Sequence, residues 1–300
     1  MNGRIIKALS GFYYVRTDSR KIYECKAKGA FRNDNITPLV GDEVVFDVIS
    51  EADRSGNVTE IRPRRNSLIR PAVSNVDQAM VVFAVRTPNP NLSILDRFLV
   101  LMKKQNIETI IVFNKKDLAK TDDIRELKAA YKKSGCKLYF ISAGGERPSL
   151  GSLKNQLRGK VTVMAGPSGV GKSTILNTLA RAGNEEMAQV GEISSKAGRG
   201  KHTTRHNEIY YIGRNYQIVD TPGFTSLLVS GEDVSREELK KLFPEFAPYE
   251  GKCPFRDCAH IKERDCAVRK AVDNGKIPLS RYNSYNSIYE EIRSQKKYDS

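Results

Sequence analysis

The chain has 300 residues and a mass of 33.6 kDa, room for two or three domains rather than one. Its 39% hydrophobic and 28% charged residues exclude wholesale disorder. No apolar run approaches the ~18 residues of a membrane span, Met1-Asn2-Gly3-Arg4-Ile5-Ile6-Lys7 lacks the apolar core of a secretion signal, and a net charge of +15 excludes an acidic solvating protein and points to a polyanionic partner, nucleic acid above all.

Short apolar segments separated by Gly, Asn, Asp and Pro open the chain: Ile5–Leu9, Gly11–Val15, Lys21–Cys25, Glu43–Val48 and Val58–Ile61. Five short strands at this spacing predict an all-β barrel of OB type, or another small barrel, over residues 1–64.

After Pro63-Arg64-Arg65 the pattern changes. Met80–Val85 and Thr109–Phe113 are continuous apolar runs, as parallel strands covered on both faces require. Between them Ile94, Leu95, Phe98, Leu99 and Met102 recur at helical spacing. Asp122–Lys133 predicts a second helix and Leu138–Ile141 a strand. Val161–Ala165 is a strand leading through a glycine-rich loop into a helix from Lys172, and Gln217–Asp220 ends a further strand. Strands alternating with helices predict a central α/β domain over residues 65–229. From residue 230, Ser235-Arg236-Glu237-Glu238 has capping-box spacing and predicts a helix to about Phe243. Tyr282, Tyr285, Tyr289 and Ile292 form the stripe of a last helix, so residues 230–300 read as a third, helical domain.

Gly166-Pro167-Ser168-Gly169-Val170-Gly171-Lys172-Ser173 fits G-x-x-x-x-G-K-[ST] between a predicted strand and helix, the context a P-loop needs. Its glycines let backbone N–H groups turn toward phosphate oxygens, and the positive end of the helix dipole faces the same place. Lys172 is expected on the β- and γ-phosphates, Ser173 on Mg²⁺, and Thr174 beside it in the nucleotide site.

Asn114-Lys115-Lys116-Asp117, at the end of a predicted strand, looks like the guanine-reading N-K-x-D motif. Asp117 can accept from both guanine N1–H and the exocyclic amine, a pair of donors that adenine lacks. Asn114 is expected to brace the loops and the stem of Lys115 to lie over the base. Ser142-Ala143 resembles the companion guanine loop. Asp220-Thr221-Pro222-Gly223 resembles D-x-x-G, with Asp220 on Mg²⁺ through water and the Gly223 N–H on the γ-phosphate. Gly198–Arg205 reads as a first switch with Thr203 or Thr204 as Mg²⁺ ligand. Phe224 stands where many GTPases carry a water-orienting Gln, so His202 is the candidate for positioning the water. Here N-K-x-D and S-A precede the P-loop, so the motif order is circularly permuted.

Cys253, Cys258, His260 and Cys266 form C-x4-C-x-H-x5-C. Three thiolates and an imidazole can close a tetrahedral, structural Zn²⁺ site with no open position. Cys25 and Cys136 stand alone and are expected in cores.

Together the barrel, Asn114–Asp117, Gly166–Ser173, Gly198–Thr204, Asp220–Gly223 and the four cysteine and histidine positions resemble the ribosome small-subunit-dependent GTPase A family over essentially the whole chain. The resemblance implies a cytoplasmic GTPase with an OB-fold N-terminal domain. It also implies a late role in maturation of the small (30S) ribosomal subunit and weak GTP hydrolysis that the subunit stimulates. The implied partners are that subunit and its rRNA, with no membrane, and the protein is expected to be a monomer. A permuted GTPase of large-subunit assembly, and an RNA-binding module using GTP only as a conformational ligand, stay open at this point. The charge is uneven: +2 over residues 1–64, +12 over 65–229 and +1 over 230–300. Lys196, Arg199, Lys201 and Arg205 lie in or beside the switch, so part of the excess is expected to face nucleotide phosphates and part rRNA.

Overall fold

The computed structural model of the chain describes residues 1–27, 31, 36–69, 71–182, 207–213, 215–220, 229–230 and 232–295. In chain order the strands are β1 Asn2–Leu9, β2 Phe12–Arg16, β3 Ile22–Ala27, β4 Glu43–Ser50, β5 Ser55–Ile61, β6 Ser67–Leu68, β7 Val73–Ser74, β8 Gln78–Ala84, β9 Thr109–Asn114, β10 Lys137–Phe140, β11 Val161–Ala165, β12 Glu208–Ile212 and β13 Tyr216–Asp220. The chain divides into two compact units, one of residues 1–79, 151–165 and 173–223, the other of residues 80–150, 166–172 and 224–300.

In the first unit β1 to β5 close on themselves. β1 pairs antiparallel with β2, β2 with β3, β4 with β5 and β4 with β1, while β3 and β5 run parallel. This ring is the expected five-stranded OB-type barrel. Its inside is filled by alternate residues: Ile5, Val15, Tyr23, Cys25, Val44, Phe46 and Val58 are buried, while Glu43, Asp47 and Glu24 point out. The Tyr23 and Phe46 rings meet at 5.1 Å, and the Tyr23 hydroxyl donates to Glu51 at 2.7 Å at the rim.

A shift of register interrupts β1 between Ile5 and Lys7; beyond it the strand still pairs with β2 as far as Leu9, and Lys7 also pairs with Glu208 of β12. β12 runs antiparallel to β13, which runs parallel to β11. The reading of the sequence did not include β12. Its signal was present: Ile209-Tyr210-Tyr211-Ile212 is a β-branched and aromatic run closed by Gly213 at φ 60°. The Arg64-Arg65 segment is anchored rather than free. Arg64 forks onto the buried Asp42 at 2.7 and 2.8 Å, the Ser74 hydroxyl donates to the same carboxylate at 2.6 Å, and Arg65 pairs with Asp77 at 2.7 Å.

The second unit contains the strand order β10-β9-β8, with β9 and β10 parallel and both β8 and β9 buried throughout, as their apolar runs require. Helix Leu92–Lys104 starts where Asn91 accepts from the Ile94 N–H at 3.2 Å, and helix Thr121–Tyr131 lies near the expected span. Ser235 and Glu238 form the expected capping box, but the helix is short: Arg236–Leu239, then a 3₁₀ turn over Lys240–Leu242. Phe243 precedes Pro244, whose ring disfavours the helical region for it, and adopts φ −107°, ψ 91°. A further helix, Ala267–Asp273, leads to the last one, Leu279–Gln295, which buries Tyr282, Tyr285, Ile288 and Ile292 and half-buries Tyr289. Cys25 is in the barrel core as expected, whereas Cys136 is only half-buried and lines an apolar groove with Leu138 and Phe140. Among the described residues no helix is long and apolar enough to cross a membrane.

Candidate functional site

The N-K-x-D, S-A and P-loop segments converge on one amide. Buried at the end of β9, Asn114 donates from Nδ2 to the Val170 carbonyl at 2.9 Å and accepts from the Ala143 N–H on Oδ1 at 2.9 Å. A single side chain thus ties the N-K-x-D loop to both the S-A loop and the P-loop. An Asp here could accept but not donate, leaving the Val170 carbonyl without its partner. Lys115 takes the left-handed conformation (φ 60°) that lets the chain turn back at once, and its Nζ donates to the Thr87 carbonyl at 2.6 Å. The Lys116 N–H donates to the Ile141 carbonyl at 2.9 Å and the Asp117 N–H to the Ser142 hydroxyl at 3.1 Å. Asp117 is exposed, with its carboxylate beside Gly145.

The P-loop follows β11. Gly166 has φ +150°, and a Cβ there would sit 2.2 Å from the Val82 carbonyl oxygen, so no other residue fits without moving the backbone. Gly171 turns with φ +95° into helix Lys172–Ala182. Val170 is buried beneath the loop, while Ser168 and Gly169 are exposed and Pro167 half-exposed. Lys172 Nζ donates to the Gly166 and Pro167 carbonyls at 2.7 and 2.8 Å, which folds its ammonium over the loop where phosphate oxygens would lie. An ammonium, a helix N-terminus and turned N–H groups give this place the electrostatics of an anion site.

Ser173 and Thr174 stand in the first turn of that helix, and Asp220 ends β13. Hydroxyl and carboxylate are hard oxygen donors suited to Mg²⁺, which keeps several of its waters. His202, Thr203, Thr204 and Gly223 lie outside the described residues.

The cysteine and histidine positions form a cluster. One ligand atom each from Cys253, Cys258, His260 and Cys266 lies within 4.8 Å of all the others. Cys253 Sγ is 3.6 Å from His260 Nδ1 and 3.9 Å from Cys266 Sγ, and His260 Nδ1 is 3.3 Å from Cys266 Sγ. A tetrahedron with metal–sulfur bonds of about 2.3 Å has edges of about 3.8 Å, so the set fits one four-coordinate ion. Burial pushes the Cys258 thiol up to about 12, so a thiolate there needs a cation beside it. Burial, helped by Lys240, lowers the His260 pKa and favours the neutral, ligating imidazole. The backbone around the cluster is pinned: the Tyr282 hydroxyl donates to the His260 carbonyl at 2.7 Å and the Tyr285 hydroxyl to the Ala259 carbonyl at 2.6 Å. Glu263 accepts from the Ala259, Ile261 and Lys262 N–H groups at 2.6, 2.8 and 3.0 Å, and these bonds outweigh its burial and lower its pKa.

The RsgA GTPase family model matches residues 61–230 and the RsgA N-terminal domain model residues 2–56. The chain belongs to the RsgA GTPase family. It is a GTP-hydrolysing enzyme by that membership. A relative from Agathobacter rectalis, the small ribosomal subunit biogenesis GTPase RsgA, is 46% identical over 309 residues, covering 99% of this chain and 100% of the relative. Among solved structures, YloQ, a circularly permuted GTPase, is 37% identical with a TM-score of 0.72, covering 98% of this chain and 95% of its own. YjeQ from Thermotoga maritima is 34% identical with a TM-score of 0.77, covering 97% and 98%.

In this RsgA-family chain the sequence reading missed one polar centre. Arg281 of the last helix is 1% exposed and pairs with two buried carboxylates, Asp96 of helix Leu92–Lys104 and Glu245 of the 3₁₀ segment Pro244–Tyr249. Its Nε donates to Glu245 at 2.6 Å, Tyr131 donates to Asp96 at 2.9 Å, and the guanidinium lies 4.7 Å from the Phe243 ring centre. Next to it Arg97 donates to Glu291 and to Ser287. The last helix is thereby fastened to helix Leu92–Lys104 and to the segment Pro244–Tyr249. No sequence signal marks this centre, because one Arg, one Asp and one Glu far apart in sequence each read as solvated.

Proposed function

We propose that this chain is a Mg²⁺-dependent GTP hydrolase that binds the small ribosomal subunit and acts in its late maturation, with hydrolysis stimulated by the subunit. The observation that carries the reading is Asn114, whose amide joins the guanine-reading loop, the S-A loop and the P-loop. A P-loop protein indifferent to its base would have no use for that brace. The printed names of the relatives, small ribosomal subunit biogenesis GTPases, supply the partner. Residues 1–64, 65–229 and 230–300 are the barrel, the GTPase and the metal module of this reading, which works as a monomer in the cytoplasm.

In the proposed mechanism Asp117 accepts from the guanine N1–H and amine, Lys115 lies over the base, and Lys116, Ser142 and Ala143 complete that loop pair. The N–H groups of Ser168 to Thr174 and the Lys172 ammonium hold the phosphates and oppose the charge that builds on the γ-phosphoryl group. Mg²⁺, when bound, neutralises charge on the β- and γ-oxygens; Ser173, Asp220 and Thr203 or Thr204 are its holders, and the Gly223 N–H meets the γ-phosphate. His202 positions the water that attacks the γ-phosphorus as the bond to the β-phosphate oxygen breaks. His202→Ala is expected to lower turnover at least about tenfold with nucleotide affinity unchanged, read by phosphate release beside a binding titration. Normal turnover would refute the assignment.

The ion in the cluster of Cys253, Cys258, His260 and Cys266 is Zn²⁺, structural because its four protein ligands leave no open position. Metal analysis is expected to return about one zinc per chain by this ligand count, and Cys258→Ala is expected to lose it together with the fold of residues 250–266, read as protease sensitivity there. Co-sedimentation with separated, salt-washed subunits tests the partner: the chain is expected in the small-subunit pellet, less so as salt rises. Equal pelleting with both subunits would contradict the reading.

A further inference from the structure

The loop between the first two metal ligands has a surface that a structural ion does not need. Cys253-Pro254-Phe255-Arg256-Asp257-Cys258 is a turn closed by the Cys258 N–H on the Phe255 carbonyl at 3.3 Å. Phe255 at its apex is 55% exposed and is the one aromatic among the exposed large hydrophobic residues described. A single exposed Phe is ordinary on a mobile loop. This one sits in a short turn that Pro254 stiffens and that Cys253 and Cys258 flank, so its backbone has little freedom left to lose. Lys252 and Arg256 beside it are exposed, and neither has an ion-pair partner among the described residues. The ring also borders the cavity of about 510 Å³ at the Cys253, Cys258 and His260 cluster, which Lys240, Arg256 and one acid, Glu250, line as well.

An exposed ring on a stiffened turn, flanked by cations with no ion-pair partner among the described residues, matches single-stranded RNA, whose unpaired bases stack on aromatic faces while phosphates meet Lys and Arg. We propose that Phe255 is a stacking platform for an unpaired rRNA base, with Arg256 and Lys252 on the adjoining phosphates. The proposal rests on the small-subunit reading above and adds a site to it. A protein partner would use the apolar ring equally but would leave the two cations without phosphates to neutralise.

The test measures affinity of the full-length, zinc-loaded chain for salt-washed small subunits and for protein-free rRNA extracted from them, across a salt series. Phe255→Ala is expected to weaken binding to both roughly 5- to 100-fold, with the slope of log K against log salt unchanged and zinc content intact. Phe255→Trp is expected to restore binding. Arg256→Gln is expected to weaken binding and make the slope shallower by about one. Unchanged affinity of Phe255→Ala, failure of Trp to rescue, or a loss seen with subunits but absent with protein-free rRNA would each overturn the stacking role. If the unaltered chain fails to bind small subunits at all, the underlying reading fails and this one with it.

Discussion

Arg281→Met is expected to destabilise the chain by about 3–5 kcal/mol, a fall in melting temperature on the order of 10 °C. Among the described residues the guanidinium is the one cation paired with Asp96 and Glu245, and its removal leaves two buried, uncompensated carboxylates. Lys would not substitute, since a single ammonium cannot reproduce the fork that meets both acids. The pH dependence is the diagnostic part. Burial already raises the Asp96 pKa against the pull of Arg281, and with that pull gone the folded-state pKa climbs further above the unfolded value. The folded variant then binds more protons than the unfolded chain between those two values, so its stability falls as pH rises through that window. Thermal melts of Arg281→Met should therefore improve from pH 8 to pH 5. Adding Asp96→Leu and Glu245→Leu should recover much of the loss, since an apolar replacement of a whole buried ion group costs little. A single variant as stable as the parent at pH 8 would show that the network contributes nothing.

Asp117→Asn is expected to weaken GTP binding on the order of 100-fold, the loss of two charge-assisted hydrogen bonds. Asn presents one acceptor and one donor where guanine offers two donors, so the amide is also repelled by the exocyclic amine. Xanthine carries a carbonyl at that position, and xanthosine triphosphate should bind the variant better than GTP does. The fold should not change, because Asp117 is exposed and its structural bond runs from its own N–H to Ser142. Titration with both triphosphates checks the exchange. A variant that keeps its preference for GTP would remove Asp117 from the base site.

What could be read from the sequence follows from how local each signal is. The P-loop, the Asn114–Asp117 loop and the cysteine spacing are short motifs whose chemistry is complete within a few residues. In the structure the Asn114 amide bonds to the Val170 carbonyl and the Ala143 N–H, and the four cysteine and histidine positions lie together. The buried strands β8 and β9 were legible because their apolar runs are continuous. Arg281, Asp96 and Glu245 were not, because each is a charge whose partner lies far along the chain. β12 was passed over although its residues spell a strand, since only its pairing with β1 and β13 makes it part of a sheet. After Ser235 the α-helix gives way to a 3₁₀ turn at Lys240, and Pro244 bars Phe243 from the helical region, so the helical stretch ends at Leu242, near the expected place.

The measurement that bears most directly on function is phosphate release from GTP under multiple turnover, with salt-washed small subunits, with large subunits and with neither. The expected result is slow release by the chain alone, a clear acceleration by small subunits and none by large ones. Equal rates in all three would contradict a hydrolase whose activity is tied to the small subunit.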